Sequence, residues 1–266
     1  MSDASRDGLR ALERCNWSTD WVPPHTRVIE TPPFCALVSP VRSGRFNSVL
    51  RCHEKGADLA ARMHAVDALY AGRRARFHAY AHRSSRALRQ HLDAIGFAPE
   101  ITYDARVIES ADVVGDTGVS DIHFAAVTTL ACLRDAETVI TQVFDGERMP
   151  PSEAELTHHM AQIHAGKVHQ IVGYDTQSGE PVAQGGLSVF PALGIGLLFG
   201  GSTLTTHRGR GIYRALIRRR AAVCRALKLP HMGLWAHRET SSPITARQGF
   251  VQCGTMTRWT RDATSL

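Results

Sequence analysis

The chain has 266 residues, 43% hydrophobic and 21% charged, with a formal net charge of +6. That balance is that of a soluble globular protein and excludes a disordered or fibrous chain. The length allows two ordinary domains, no apolar run approaches transmembrane length, and the polar opening MSDASRDGLR lacks the core of a signal peptide, so a cytoplasmic protein is expected.

Residues 1 to about 30 are rich in Arg, Asp and Pro and only weakly periodic, with Trp17 and Trp21 as packing anchors. Strands are predicted over 34–38 and 46–51, either side of the Ser43-Gly44 turn. Leu59, Met63, Val66 and Tyr70 then recur at the spacing of an amphipathic helix. Residues 76–82 read as a strand, Ser84 or Ser85 as an N-cap, Leu88, Leu92 and Ile95 as the next helix face, and Gly96-Phe97 as its stop.

A linker is expected over 110–120, where Gly115, Asp116, Thr117 and Gly118 are turn residues. Helical segments should follow, one between Thr128 and Phe144 and one after Pro150-Pro151 with a Ser152/Glu155 capping box. Strands are predicted over 170–174, 182–190 and 197–204, a helix from Ile212, a strand over 232–236, a helix capped by Ser242 with Pro243 at its first position, and a last strand over 251–260.

The two halves repeat this order. Residues 59–70 align with 212–223 at an offset of 153, Gly96-Phe97 aligns with Gly249-Phe250 at the same offset, and Ala81-His82-Arg83 matches Ala236-His237-Arg238 at 155. Two related domains, 1–115 and 116–266, are expected in tandem.

The stretch TTHRGRGIYRALIRRRAAVCRAL, residues 205–227, carries the clearest chemical signal. A Gly- and Arg-rich loop runs straight into a helix, which presents backbone N–H groups and a helix N-terminus to an anion. Gly209 and Gly211 can take positive φ, and Arg208 and Arg210 add permanent charge. At about 100° per residue, Ile212, Tyr213, Leu216, Ile217, Val223, Cys224 and Leu227 share an apolar arc, with Arg214, Arg218 and Arg225 opposite. Arg220 falls inside that arc, where its stem is expected to snorkel. No Asp or Glu occurs from position 181 to 238, so a polyphosphate would be accepted there. The arginines are not interleaved with aromatics, which argues against nucleic acid.

Arg208-Gly209-Arg210-Gly211-Ile212-Tyr213 resembles the R/Q-x-x-G-x-G/A loop of the GNAT superfamily of acyl-CoA-dependent N-acyltransferases, with Tyr213 in place of the final Gly or Ala. Leu234-Trp235-Ala236, a short helix and Gly249-Phe250 resemble the family's closing strand, helix and Gly-Phe motif. The resemblance implies a mixed α/β fold of two tandem GNAT-like domains. The first would be degenerate, because His53 to Asp58 lacks the second Gly and the arginines and carries two acids. The second would bind acetyl-CoA or another acyl-CoA through Thr203, Leu204, Arg208, Gly209, Arg210, Gly211, Ile212 and Tyr213.

The acyl group would pass to a primary amine of a small molecule or a protein by direct attack in a ternary complex. The family's usual Glu base has no counterpart here, Thr245 stands where a Tyr is usual, and Arg238 where an Asn is common. His207, His237, Glu239 and Thr245 are the candidates for proton transfer. The alternative is a non-catalytic acyl-CoA sensor or scaffold, and a homodimer is left open. No metal site is predicted: the histidines show no ligand spacing, and the six cysteines no CxxC pairing, so reduced, mostly buried thiols are expected.

Overall fold

The computed structural model describes residues 3–41, 43–53, 59–115, 119–144 and 150–263. In chain order the elements are α1 (Asp3–Asn16), β1 (Arg27–Thr31), β2 (Phe34–Val38), β3 (Ser48–Cys52), α2 (Leu59–Leu69), β4 (Ala75–Tyr80), α3 (Arg86–Ala94), β5 (Ala98–Glu109), β6 (Ile122–Ala126), α4 (Leu130–Val143) and α5 (Glu153–His164). There follow β7 (Val168–Asp175), β8 (Pro181–Phe190), β9 (Ile195–Thr203), α6 (Ile212–Ala226), β10 (His231–His237), α7 (Ser241–Ala246) and β11 (Val251–Arg261).

These form two compact units. The first comprises Met1–Arg106, Trp235–Thr245 and Gln252–Leu266, and the second Val107–Leu234 and Ala246–Val251. The first unit thus takes up late segments of the chain.

In the first unit β1 to β3 form an antiparallel meander, β3 pairs parallel with β4 through Ser48–Arg76 and Val49–Phe77 alone, and β11 runs antiparallel to β4 from Met256 opposite Tyr80 to Arg261 opposite Ala75. Met63, Val66 and Tyr70 of the α2 region, Leu88 and Leu92 of α3, Phe77, Phe97 and Trp259 make one buried cluster. Each such side chain contributes about 1.5–3 kcal/mol by leaving water. Ser85 caps α3, its Oγ accepting from Leu88 N at 3.1 Å, and Gly96 ends that turn at φ 82°, which only glycine takes without strain.

In the second unit β9, β8, β7 and β6 are consecutive antiparallel neighbours, and β10 joins β9 in parallel. Alternation along β7 sends Val172 to a cluster with Leu133, Ala136, Leu156 and Met160 of α4 and α5, and Ile171 to one with Ile212 and Leu216 of α6. Helices therefore cover both faces. The Ser152/Glu155 capping box forms, with Ser152 N donating to Glu155 Oε2 at 2.7 Å and Glu155 N to Ser152 Oγ at 3.3 Å.

Several expectations are corrected. The weakly periodic N-terminal stretch contains α1, which buries Leu9, Leu12 and Cys15, and also β1. β5 spans 12 residues without a predicted strand, and β6 precedes the first helical segment after the linker. Ser242 is not a cap: α7 begins one residue earlier, and the Ser242 hydroxyl donates to Asp104 Oδ2 at 2.6 Å while accepting from Arg106 Nε at 2.8 Å. Leu227 lies past the end of α6 and is 43% exposed. Glu54 to Asp58 of the first loop and Asp116 to Gly118 of the linker lie outside the described residues. All six cysteines are free thiols, five of them buried.

Candidate acyl-CoA site

β9 ends at Thr203, Leu204 N donates back to Val182 O, and a single 3-10 turn, Thr205–His207, leads to the glycines. Gly209 has φ 80° and open space where a Cβ would stand; Gly211 has φ 82° and is the N-cap of α6. Both conformations favour glycine. No side chain caps the 15-residue helix, so its first N–H groups keep no intrahelical or side-chain acceptor. Ile212, 2% exposed, anchors the first turn in the core beside Leu216, and Leu204 packs on the same cluster. What Ile212 offers a ligand is its backbone N–H.

The basic side chains around this loop are unequal. Arg208 is exposed and folds back, Nε donating to Thr203 O at 3.3 Å. Arg210 is held by carboxylates at the ends of other strands, bonding Asp121 and lying 3.9 Å from Asp175. Beyond the loop Arg214 is exposed, the Arg219 guanidinium sits 4.4 Å above the Phe124 ring, and Arg225 Nη1 donates to Ser110 O and Val113 O at 2.9 Å. Arg220 corrects the snorkelling expectation, being 1% exposed with its whole guanidinium inside.

β9 leaves part of one edge outside its pairing with β10. Its pairing with β10 covers Ile195–His231, Gly196–Met232 and Leu197–Gly233 alone, so the stretch from Leu198 to Thr203 has β8 as its paired strand. Within that stretch the register with β8 shifts between Gln184 and Gly186, and Gly200 takes φ 60°. Gln184 Nε2 bonds Gly200 O and, at 3.0 Å, Ser202 Oγ; behind it Gln170 Nε2 donates to Gln184 Oε1 at 3.0 Å, and His159 Nε2 lies 2.8 Å from Gln170 Oε1. This buried amide chain, unforeseen from the sequence, holds the bulge in shape. Thr203 is 8% exposed and its Oγ1 has no hydrogen-bond partner.

Three of the four proton-transfer candidates, His207, His237 and Thr245, are already engaged. His207 Nδ1 lies 2.9 Å from Thr206 Oγ1 and Nε2 3.3 Å from Asp175 Oδ2. The backbone N–H groups of Ser178 and Gln177, followed by His207, hold the Asp175 carboxyl below the usual range. His237 Nδ1 accepts from Glu239 N at 3.2 Å, and its ring meets Tyr103 edge-on. Thr245 is fully buried, its hydroxyl turned back to Ser241 O and Ser242 O at 3.0 and 3.1 Å. Arg238 is forked onto Asp104 Oδ1 at 3.1 and 2.9 Å. His237, Arg238, Glu239 and Thr245 belong to the first unit; the glycine loop and His207 belong to the second.

Among the described residues no group of His, Cys, Asp or Glu is placed to hold a metal ion, and no helix is long and apolar enough to cross a membrane. Solved structures nevertheless share the architecture. A GCN5-related N-acetyltransferase from Kribbella flavida superposes with a TM-score of 0.66 at 16% identity, covering 100% of this chain and 98% of that one. One from Sphaerobacter thermophilus gives 0.59 at 17%, covering 98% and 95%. A tandem GNAT protein from the clavulanic acid biosynthesis pathway gives 0.56 at 11%, covering 96% and 88%. No protein-family model matches the chain, and no curated protein matches it by sequence. The chain has the tandem GNAT fold.

Proposed function

We propose that this protein is an N-acyltransferase whose second unit binds acetyl-CoA or another short acyl-CoA and passes the acyl group to a primary amine. The observation that carries this reading is the uncapped N-terminus of α6 behind two positive-φ glycines at the end of a strand with an unshared edge. The N–H groups of residues 209–213 would take the pyrophosphate, with Arg208 as the exposed cation beside it and Arg210 as a loop anchor on Asp121. Thr203 and Leu204, at the end of that edge, would meet the start of the pantetheine arm. Open space where a Cβ would stand at Gly209 supports this reading, because it leaves the backbone N–H groups approachable.

The amine nitrogen would attack the thioester carbon directly, the carbon–sulfur bond would break, and the amine's surplus proton would pass to His207 or water. The first unit we read as a copy that binds no coenzyme A. Its β3 and β4 share two residue pairs, and beyond them Tyr80 OH donates to Leu50 O at 3.2 Å while Asn16 Nδ2 donates to Tyr80 OH at 2.6 Å.

The engaged hydroxyl of Thr245 and the His207–Asp175 contact favour a second reading, an acyl-CoA sensor without turnover. One experiment separates the two: acetyl-CoA titration by calorimetry, then thiol release on adding pooled primary amines. Binding with amine-dependent release supports the transferase; binding without release supports the sensor; no binding defeats both.

A further inference from the structure

Arg220 lies two helical turns beyond Tyr213 on the face of α6 turned to the sheet. Its Nε donates to Leu216 O at 3.0 Å and its Nη1 to Gly186 O at 3.1 Å, while Nη2 has no partner. The titratable groups facing it are Tyr213 and Cys224, both on the same helix; from β8 and β9 it meets glycine backbone. Among the described residues no carboxylate pairs with it. A buried guanidinium with no counter-charge is unfavourable, and negative charge arising nearby relieves that cost.

Where that charge could arise follows from the glycines. A Cβ on Gly185 would stand 3.0 Å from the Arg220 Cζ, and a Cβ on Gly201 would stand 3.5 Å from Nη2 and 2.8 Å from the Tyr213 ring. Gly201 follows the bulge at Gly200, in the part of β9 paired with β8 alone. An extended arm held by its phosphates at α6 and laid along β9 passes Thr203 and Ser202 and reaches Gly201 about 10 Å from Leu204, at roughly 3.3 Å per residue.

Building on the acyl-CoA reading above, we propose that Arg220 is a positioning residue for acyl transfer, its buried charge acting across Gly201 on the negative charge that forms at the thioester. As the amine lone pair makes the new carbon–nitrogen bond, the carbonyl pair moves to oxygen. When the carbonyl re-forms, the carbon–sulfur pair leaves with sulfur, and the thiolate takes a proton from water as the amine's proton is lost. A fixed cation beside the bulge favours both anions. The thiolate can then depart without a hydroxyl from Thr245.

The test reads bound coenzyme A rather than turnover. Thiolate absorbance across a pH titration should show the bound thiol ionising at lower pH than free coenzyme A in the wild type. Arg220→Met should raise that ionisation by about one unit, and Arg220→Lys should leave it near the wild-type value. If Arg220→Met does not fold, the wild type alone decides: coenzyme A affinity should tighten about tenfold as pH rises through the thiol's ionisation, while desulfo-coenzyme A stays flat. A bound thiol that ionises like free coenzyme A, or equally in wild type and Arg220→Met, overturns this inference and leaves the acyltransferase reading standing. Failure of the wild type to bind coenzyme A overturns both.

Discussion

The β3–β4 pair of the first unit and the β9–β10 pair of the second start alike and end differently. Both are parallel and both are short, two residue pairs in one and three in the other. Past Val49, β3 is met by side chains of the chain itself: Tyr80 bonds its Leu50 carbonyl, Asn16 bonds Tyr80, and Trp17 stands edge-on to Tyr80 at 6.1 Å. Asn16 also donates to His78 Nδ1, and burial, with Arg258 and Arg76 nearby, pushes that imidazole down to about 3, so it stays neutral. Past Leu197, β9 instead bulges through glycines toward a loop of positive-φ glycines and an uncapped helix. One backbone scheme thus ends in packed core in one place and in the edge proposed to bind acyl-CoA in the other, and small residues make the difference.

Breaking the packed end should cost the most. Tyr80→Ala removes a side chain 3% exposed and should destabilise the protein by about 3–5 kcal/mol in chemical unfolding, while acetyl-CoA affinity of the folded fraction is unchanged. A loss of affinity matching the loss of stability would contradict the separation of roles. Gly211→Asp acts on the other end: it forces a carboxylate into a left-handed N-cap and should weaken acetyl-CoA binding about 100-fold in calorimetry, with strain of about 1–2 kcal/mol.

Smaller effects sharpen the contrast. Burial alone would raise the Glu13 carboxyl, but hydrogen bonds from His82 and Arg83 outweigh it and leave it below the ordinary value. Stability from this group is present above the unfolded-state value and is lost as pH falls through the folded one. Unfolding curves of Glu13→Gln should therefore be flatter than wild type under acid conditions, at a lower plateau near neutrality. Arg210→Ala should weaken acetyl-CoA by only about threefold, because its guanidinium is committed to Asp121.

Much of this was readable in the residues where local chemistry decides. Ser85, the Ser152/Glu155 box and Gly96 fix helix ends through bonds spanning a few residues, and those ends fall where the sequence puts them. α1 was legible and missed: Leu9, Leu12 and Cys15 recur at helical spacing on one face amid charged neighbours, but the apolar stripe is only three residues long. β5 was hidden because residues on both of its faces are half-exposed, which erases alternation. The helical wheel placed Arg220 on the correct face, but only the opposing glycines at 185 and 201 make room for its charge, and those lie on other strands. The Gln170–Gln184 chain likewise joins residues paired only by the sheet register.

The central claim is that one of the two copies binds acyl-CoA, and the stoichiometry of acetyl-CoA binding tests it most directly. Calorimetric titration of the full chain should give one molecule per chain, weakened about 100-fold in Gly211→Asp and unchanged in Tyr80→Phe. Two molecules per chain, or one whose affinity Gly211→Asp leaves unchanged, would contradict the account.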